Sequence, residues 1–306
     1  MPTLLVSGLI NVETTLRVDA FPVPYFPVRY PFWGVRSTVS GVGVNLATAL
    51  TTLGDDVRLL SQVGADAQGD VAVRTLAAAG LPTAGVLRAL RETPQSVILY
   101  DPAGRRQIHV DLKDAQERPY PPDPFAAALA AADLAVLCNV NWNRPFLPAV
   151  AHAGKPLATD VHTIADLDDA YNADFMAAAS ILFMSDEALP CAPEAWVRRI
   201  WRRYGTPIVG IGLGGQGALL AVRADNAIER VPAVVTRPVV NTIGAGDALF
   251  AAFNHVYGRT RDPYTAMQHA VVFASYKIGA TGSAEGFLTA PELAALMAAN
   301  KEIGHG

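Results

Sequence analysis

The feature that most constrains this chain is an alternation that runs almost from end to end. Short apolar stretches take turns with longer segments of helical period that close on glycine. TLLVSG (3–8), VRLLS (57–61), LAVLC (134–138), ILFM (181–184) and PIVGI (207–211) predict strands. VGVNLATALTTLG (42–54), GDVAVRTLAAAG (69–80) and APEAWVRRIWRRYG (192–205) predict helices, each ended by a glycine able to take a left-handed conformation. Strand, helix, strand in this rhythm means parallel strands joined by crossover helices. The predicted fold class is therefore α/β, a doubly wound and mainly parallel sheet flanked by helices. Half of the 306 residues are hydrophobic and 17% are charged, enough for a large core. With no repeat and no interdomain linker in view, the chain reads as one domain over residues 1–306.

Two segments break the rhythm. Residues 12–40 are rich in proline, aromatics and β-branched side chains. Residues 96–111 (SVILYDPAGRRQIHVD) read as a hairpin turning at Asp101, Pro102 and Gly104. They predict a small inserted β-element, either a lid over a site or an edge hairpin that only packs.

Charge and composition exclude several classes. A formal net charge of -4 gives no basic footprint, so neither nucleic acid nor an anionic membrane surface is expected as a partner. The start of the chain lacks the charged and apolar regions of a signal peptide, and the apolar run 125–138 is interrupted by Asp133 and too short to span a bilayer. Two cysteines, Cys138 and Cys191, are expected as reduced thiols in a cytoplasmic protein. The six histidines form no HExxH pair.

The stretch NTIGAGDALFAAF (241–253) carries the most chemistry. Leu249, Ala252, Phe253 and Val256 are spaced as one face of a helix, which Gly258 is expected to stop. Gly244, Ala245, Gly246 and Asp247 then lie at the helix N-terminus, where unpaired amides and the helix dipole favour negative charge. Two readings stay open on these residues alone: a turn with a favourable first-turn acid, or an anion site.

NTIGAGD resembles the C-terminal signature D-T-x-G-A-G-D of the ribokinase-like (PfkB) family of sugar and nucleoside kinases. SGVGVN (40–45) resembles that family's sugar-gripping glycine motif, and GLINVE (8–13) its G-x-x-N-x-D. The two β-segments fall where the family inserts its lid. The resemblance implies a ribokinase-like fold and an ATP-dependent sugar kinase. In it Asp247 is the base, and the amides of Gly244, Ala245 and Gly246 form an anion hole. It implies sugar contacts from Asn11, Glu13, Gly41, Gly43 and Asn45, with Glu13 standing where the family usually has aspartate. Asn139, Asn141 and Asp160, at strand ends, are weaker candidates.

On the nucleotide side the resemblance implies ATP with Mg²⁺, met through water by Glu187. The family's N-x-x-E is here FMSDEAL (183–189), with Met184 in place of asparagine and Ser185 or Asp186 as possible compensation. IGLGGQGA (211–218) resembles T-x-G-x-x-G-A, with Gly212 for threonine and Gly214 and Gly217 retained. Asn241 and Thr242 complete the expected nucleotide set, and the helix 262–279 with ATGSAEG (280–286) is expected at the adenine. Potassium-dependent relatives hold the ion with the aspartate that Asn241 replaces. Specificity is expected in lid residues such as Tyr25, Phe26, Phe32, Trp33 and Arg36. Family members often pair through the lid, so a homodimer is expected.

Three alternatives remain. One is a nucleoside kinase of the same family, and one is a non-catalytic sugar- or nucleotide-binding protein on the same fold. The third is an NAD-dependent dehydrogenase, from GIGLGG (210–215) with Glu229 for the ribose. No Walker-type P-loop is present.

Overall fold

The computed structural model describes the backbone of residues 1–303 and the side chains of residues 1–299. The chain begins with β1 (Thr3–Ser7), β2 (Asn11–Arg17), β3 (Val35–Ser40), α1 (Val42–Thr52), β4 (Asp56–Gly64), α2 (Ala67–Ala78) and β5 (Gly85–Leu90). It goes on through β6 (Gln95–Tyr100), β7 (Arg106–Asp111), α3 (Pro122–Ala131), β8 (Leu134–Leu137), α4 (Leu147–His152), β9 (Leu157–Thr163) and α5 (Ala173–Ala178). Then come β10 (Ile181–Ser185), α6 (Pro193–Arg203), β11 (Ile208–Gly212), β12 (Ala218–Val222), β13 (Ala227–Val231), α7 (Ala245–Thr260), α8 (Pro263–Lys277) and α9 (Ala290–Ile303).

Nine strands form the main sheet in the order β13-β12-β11-β10-β9-β8-β1-β4-β5. All neighbours from β5 to β11 are parallel, and β12 and β13 add an antiparallel edge. Both faces are covered, which is why β1 reads as a continuous apolar run rather than an alternation. Leu4 and Val6 pack into the core shared with α1, α7 and α8, while Leu5 points the other way toward Phe125 of α3. The same pleat sends Phe183 of β10 to the α7 side and Leu182 and Met184 to the α6 side. The predicted strands and helices are all present, and the closing glycines Gly54, Gly80 and Gly205 have φ of 85°, 72° and 68°.

One boundary differs from expectation. The helix that begins at Ala245 passes through Gly258 and ends at Thr260, closed by Arg261 in a left-handed conformation (φ 57°). Glycine inside a helix costs only about 1 kcal/mol. The packed face that Phe250, Phe253 and Val256 bury outweighs that. The rings of Phe250 and Phe253 each lie 5.0 Å from that of Phe183, which fixes α7 under the end of β10.

Strands β3-β2-β6-β7 make a second, four-stranded sheet. Both expected β-segments belong to it, but residues 18–34 form no strand. The turn between β6 and β7 is as expected: Asp101 Oδ1 accepts from the amides of Ala103 (3.0 Å) and Arg105 (2.9 Å), and Gly104 has φ 81°. Ile98 and Ser96 face inward, whereas Val35, Val97, Ile108 and Val110 are exposed. Tyr25, Phe32 and Trp33, in the loop between β2 and β3, are also exposed.

Candidate active site

In the main sheet the strand order reverses at β1, with β4 and β5 on one side and β8 to β11 on the other. Ligands of such sheets bind in the crevice at the carboxyl ends of the strands on either side of that reversal. The chain leaves β1 there, builds the small sheet, and returns as α1.

Four distant segments meet at this point in a buried polar network. Asn11 and Glu13 come from β2, Ser40 from the end of β3, Asn45 from α1 and Ser283 from the loop after α8, all buried. Glu13 Oε1 accepts from Ser283 Oγ (2.9 Å), and Glu13 Oε2 accepts from Ser40 Oγ (3.1 Å). Ser40 Oγ is also 2.6 Å from Ser283 Oγ and 3.3 Å from Asn45 Oδ1, so its single proton serves one partner at a time. Burial pushes the Glu13 carboxyl above the usual range against the pull of the two serines; Asp247 adds to the rise and Lys277 opposes it. Asn11 donates through Nδ2 to Ser96 Oγ (2.9 Å), while its Oδ1 is buried with no partner among the described residues. An orphaned buried acceptor is costly, and a ligand hydroxyl would satisfy it.

Asn45 Nδ2 donates to Asp247 Oδ2 at 2.6 Å. The bond joins the expected sugar set to the first turn of α7. Burial raises the Asp247 carboxyl; Asn45, His162 and Lys277 draw it down, and Asp160 raises it further. Gly244 caps α7 with φ 75°, and a Cβ there would meet the Ser283 carbonyl at 2.7 Å, so this position requires glycine. The turn differs in detail from the expected anion hole. The Ala245 amide donates to the Thr242 carbonyl (3.2 Å), leaving the amides of Gly244, Gly246 and Asp247 without a backbone partner among the described residues. A Cβ on Gly246 would meet nothing within 4 Å, so the turn faces open space.

Other candidates serve the chain itself. A Cβ on Gly41 would meet the Leu9 carbonyl at 2.5 Å, and one on Gly43 the Gly8 carbonyl at 2.6 Å. The Gly43 amide donates to Leu9 O (3.0 Å). These glycines let α1 seat against the β1–β2 turn, and the Gly43 N–H, expected at the sugar, is already used. Asn139 Nδ2 donates to Asn172 Oδ1, while Asn141 bonds Gln116 through its backbone and side-chain nitrogens and accepts from Arg144. Both anchor loops. Asp160 accepts from the amide of His162, which has φ 60°.

Three contributors escaped the sequence reading: Ser283, His162 and Lys277. Lys277 is wholly buried, and its Nζ donates to the Gly282 carbonyl at 2.6 Å. A signal existed for it. With Ala270 and Phe273 it falls on the i, i+3, i+7 face of an apolar helix, the buried face.

The nucleotide side is more open. Arg106 of β7 reaches across to donate to Thr242 Oγ1 (2.9 Å) and to Glu187 (3.3 Å), whose side chain is 60% exposed. A cleft of about 580 Å³ lies here, lined by Phe21, Arg105, Arg106 and Glu187 among others. Asn241 Nδ2 donates to the Thr281 carbonyl (2.9 Å), and its Oδ1 accepts from the Ile243 amide (3.0 Å). Arg36 of β3 pairs with Glu285 and Thr281 in the 280–286 loop. That loop thus turns Ser283 toward Glu13 as well as bordering the expected adenine side. Among the described residues no group of three or more His, Cys, Asp or Glu could hold a metal.

The model of the pfkB family carbohydrate kinases matches residues 1–290. The chain belongs to that family. It is an ATP-dependent kinase acting on a sugar hydroxyl. This pfkB kinase is 29% identical over 279 residues to an acarbose 7(IV)-phosphotransferase of Actinoplanes, covering 89% of this chain and 91% of that one. It is 26% identical over 290 residues to an ATP-dependent ribose-1-phosphate kinase of Halopiger xanaduensis, covering 92% and 94%. Among solved structures, a microbiome-derived acarbose kinase superposes with a TM-score of 0.85 at 25% identity, covering 97% of this chain and 99% of that one. A putative ribokinase from Agrobacterium tumefaciens matches in fold with a TM-score of 0.86 at 21% identity, covering 98% and 99%.

The departures of this pfkB kinase from the motifs now have physical reasons. Met184 is buried against Trp196 and Ile211, so it joins the α6-side core, and the Ser185 hydroxyl is taken by the Glu187 amide. Gly212 leaves room, since a Cβ there would have only ordinary contacts at 3.9 Å and beyond. Gly217 is required by packing, because a Cβ would meet Val231 O at 2.1 Å. The glycine run after β11 leads into an antiparallel hairpin and not a helix, which removes the dinucleotide-binding reading.

Proposed function

We propose that Asp247 is the general base that activates a primary hydroxyl of a sugar, or of a sugar-containing small molecule, held by Asn11, Glu13 and Asn45. The observation that carries this is the Asn45–Asp247 hydrogen bond, which puts the carboxylate at the junction of the buried sugar network and the open glycine turn. One lone pair of Asp247 is occupied by Asn45, which orients the carboxylate and leaves Oδ1 to accept a proton. The substrate oxygen attacks the γ-phosphorus of ATP, its proton passes to Asp247, the bond to the β–γ bridging oxygen breaks, and ADP departs with that electron pair. The amides of Gly244, Gly246 and Asp247 face the charge that builds on the transferred group.

Mg²⁺ would neutralise phosphate charge when bound. Glu187, whose side chain is 60% exposed at the cleft, would hold that ion through water. Thr242, Gly212 and Gly214 border the phosphates, with Arg106 beside them. The small sheet acts as lid, and its face turned away from Glu13 and Ser96, where Val35 and Val97 are exposed, pairs two copies of this single-domain, cytoplasmic enzyme. A mass of twice 32.3 kDa in light scattering is the expected result for that pairing.

The experiment is an ADP-release screen over free sugars, sugar phosphates, nucleosides and acarbose, the last because one relative is an acarbose phosphotransferase. Turnover on at least one sugar compound is expected. Calorimetric sugar binding with no ADP release from any of them would overturn the catalytic role of Asp247 in favour of a binding protein.

A further inference from the structure

Lys277 is the feature that the mechanism leaves unexplained. Its side chain is wholly buried, and lysine is almost never fully buried unless it is paired. Its one hydrogen bond among the described residues goes to a neutral carbonyl, Gly282 O, at 2.6 Å. Gly244, the cap of the phosphate-facing turn, lies directly over it: a Cβ on Gly244 would stand 3.2 Å from Lys277 Cε. Asp247 at the start of α7, Glu285 in the following loop and Glu13 on β2 favour its charge, and Arg237 opposes it. A fourth lysine carbon and a cation thus sit behind the turn whose front is open, among the carboxylates on which the reaction depends.

We propose that Lys277 is a positioning residue for phosphoryl transfer: its buried ammonium, roofed by Gly244 and tied to Gly282, puts a positive charge behind the turn that carries Asp247 and keeps Ser283 against Glu13. The proposal rests on the kinase reading for its catalytic consequence and on geometry for the coupling itself. Its chemistry is direct. A positive charge within the same low-dielectric pocket favours the carboxylate form of Asp247, which is the form that accepts a proton. The tie to Gly282 sets the residue before Ser283, whose hydroxyl donates to Glu13. The cation touches neither reacting atom, so it acts through Asp247 and Ser283. Burial lowers the Lys277 ammonium to about 8, which places its deprotonation within reach of an ordinary titration.

The test has two arms. In the first, the enzyme is labelled at lysine ¹³Cε and titrated by NMR, as wild type and as Asp247→Asn. The chain has lysines at 113, 155, 277 and 301, so the spectrum is simple. Loss of the Asp247 charge is expected to lower the Lys277 midpoint by about one pH unit, since coupling between two sites is reciprocal. A midpoint that moves by less than 0.3 in Asp247→Asn overturns the proposal, whether or not any sugar is turned over. In the second arm, kcat is followed against pH. In wild type, kcat is expected to fall on the alkaline side as one proton leaves Lys277. In Lys277→Met, kcat at pH 7.5 is expected to drop about 30-fold, the acid limb to move upward, and the alkaline limb to vanish, with KM for ATP within about threefold. Where Lys277→Met does not fold, the wild-type profile decides, and a profile flat to pH 9.5 counts against the proposal. A wild type that releases no ADP sinks the kinase reading alone; the NMR arm still stands.

Discussion

The two halves of the site are built on opposite plans. On the sugar side, Asn11, Glu13, Ser40, Asn45 and Ser283 are buried and interlocked, each held by another polar group. On the nucleotide side, Gly212 and Gly214 have space around them, Glu187 is mostly exposed, and Arg106 reaches in from another sheet. Preorganised dipoles in a closed site are worth far more than the same groups in water. Under the proposed function the groups for the sugar and the base are fixed before binding, while the triphosphate meets a more open surface.

The largest expected effect breaks the comparison at its hinge. Asp247→Asn keeps the size of the side chain and its place at the start of α7, but cannot accept the hydroxyl proton. A lost general base is expected to lower kcat by about 10² to 10⁴, with sugar binding by calorimetry nearly unchanged. Turnover within threefold of wild type would remove Asp247 from its role. Because burial raises this carboxyl, the acid limb of the wild-type kcat profile should lie above the ordinary aspartate range near 3.8.

Next in size is Glu13→Gln on the sugar side. A hydrogen bond to a charged group is worth about 1.5–3 kcal/mol, so KM for the sugar should rise roughly ten- to hundredfold with a smaller change in kcat. The stability effect has the opposite sign. The folded-state carboxyl holds its proton more tightly than the unfolded one, so its contribution to stability falls as pH rises through that window. At pH 7 the amide relieves this, and the melting temperature should hold or rise. A lower melting temperature with unchanged KM would show Glu13 to be structural only.

On the nucleotide side the effects should be small. Gly212→Thr adds a side chain where the nearest atoms are 3.9 Å and 4.0 Å from the new Cβ, and should change KM for ATP by no more than about threefold, toward tighter binding. A tenfold loss of ATP affinity would show that this side is as preformed as the other. Smallest of all is potassium. The Asn241 amide already donates to the Thr281 carbonyl, so that oxygen faces a donor, and no carboxylate stands at position 241. Replacing sodium by potassium is expected to change turnover less than twofold, and tenfold stimulation would contradict this placing of Asn241.

The sequence spoke clearly where chemistry is local and less clearly where it depends on who lies opposite. The strands were legible because burial on both faces demands uninterrupted apolar residues, as in LLV of β1. Asp247 was legible because GAGD joins a turn and a helix start within four residues. The role of Gly43 was not, since only the structure shows the Gly8 carbonyl where a Cβ would go. Gly258 misled because Arg259, just past it, is tied to the buried Asp55 from α7's own last turn, and the helix runs on to Thr260. Ser283 was hidden because its partners Glu13 and Ser40 lie more than 240 positions away along the chain, and Lys277 was legible only as a buried helix position, since its period does not show what it faces.

The hydrogen bond from Ser283 to Glu13 spans 270 positions. A contact of that span closes an enormous loop, and such closures come late in folding. As the chain emerges from a ribosome, β1 to β11 can assemble while Glu13 still lacks its hydroxyl and Asp247 has not been made. The network that joins Glu13 to Ser283 is therefore finished late, and under the proposed function a nascent chain that has already folded most of its sheet is still unable to grip a sugar.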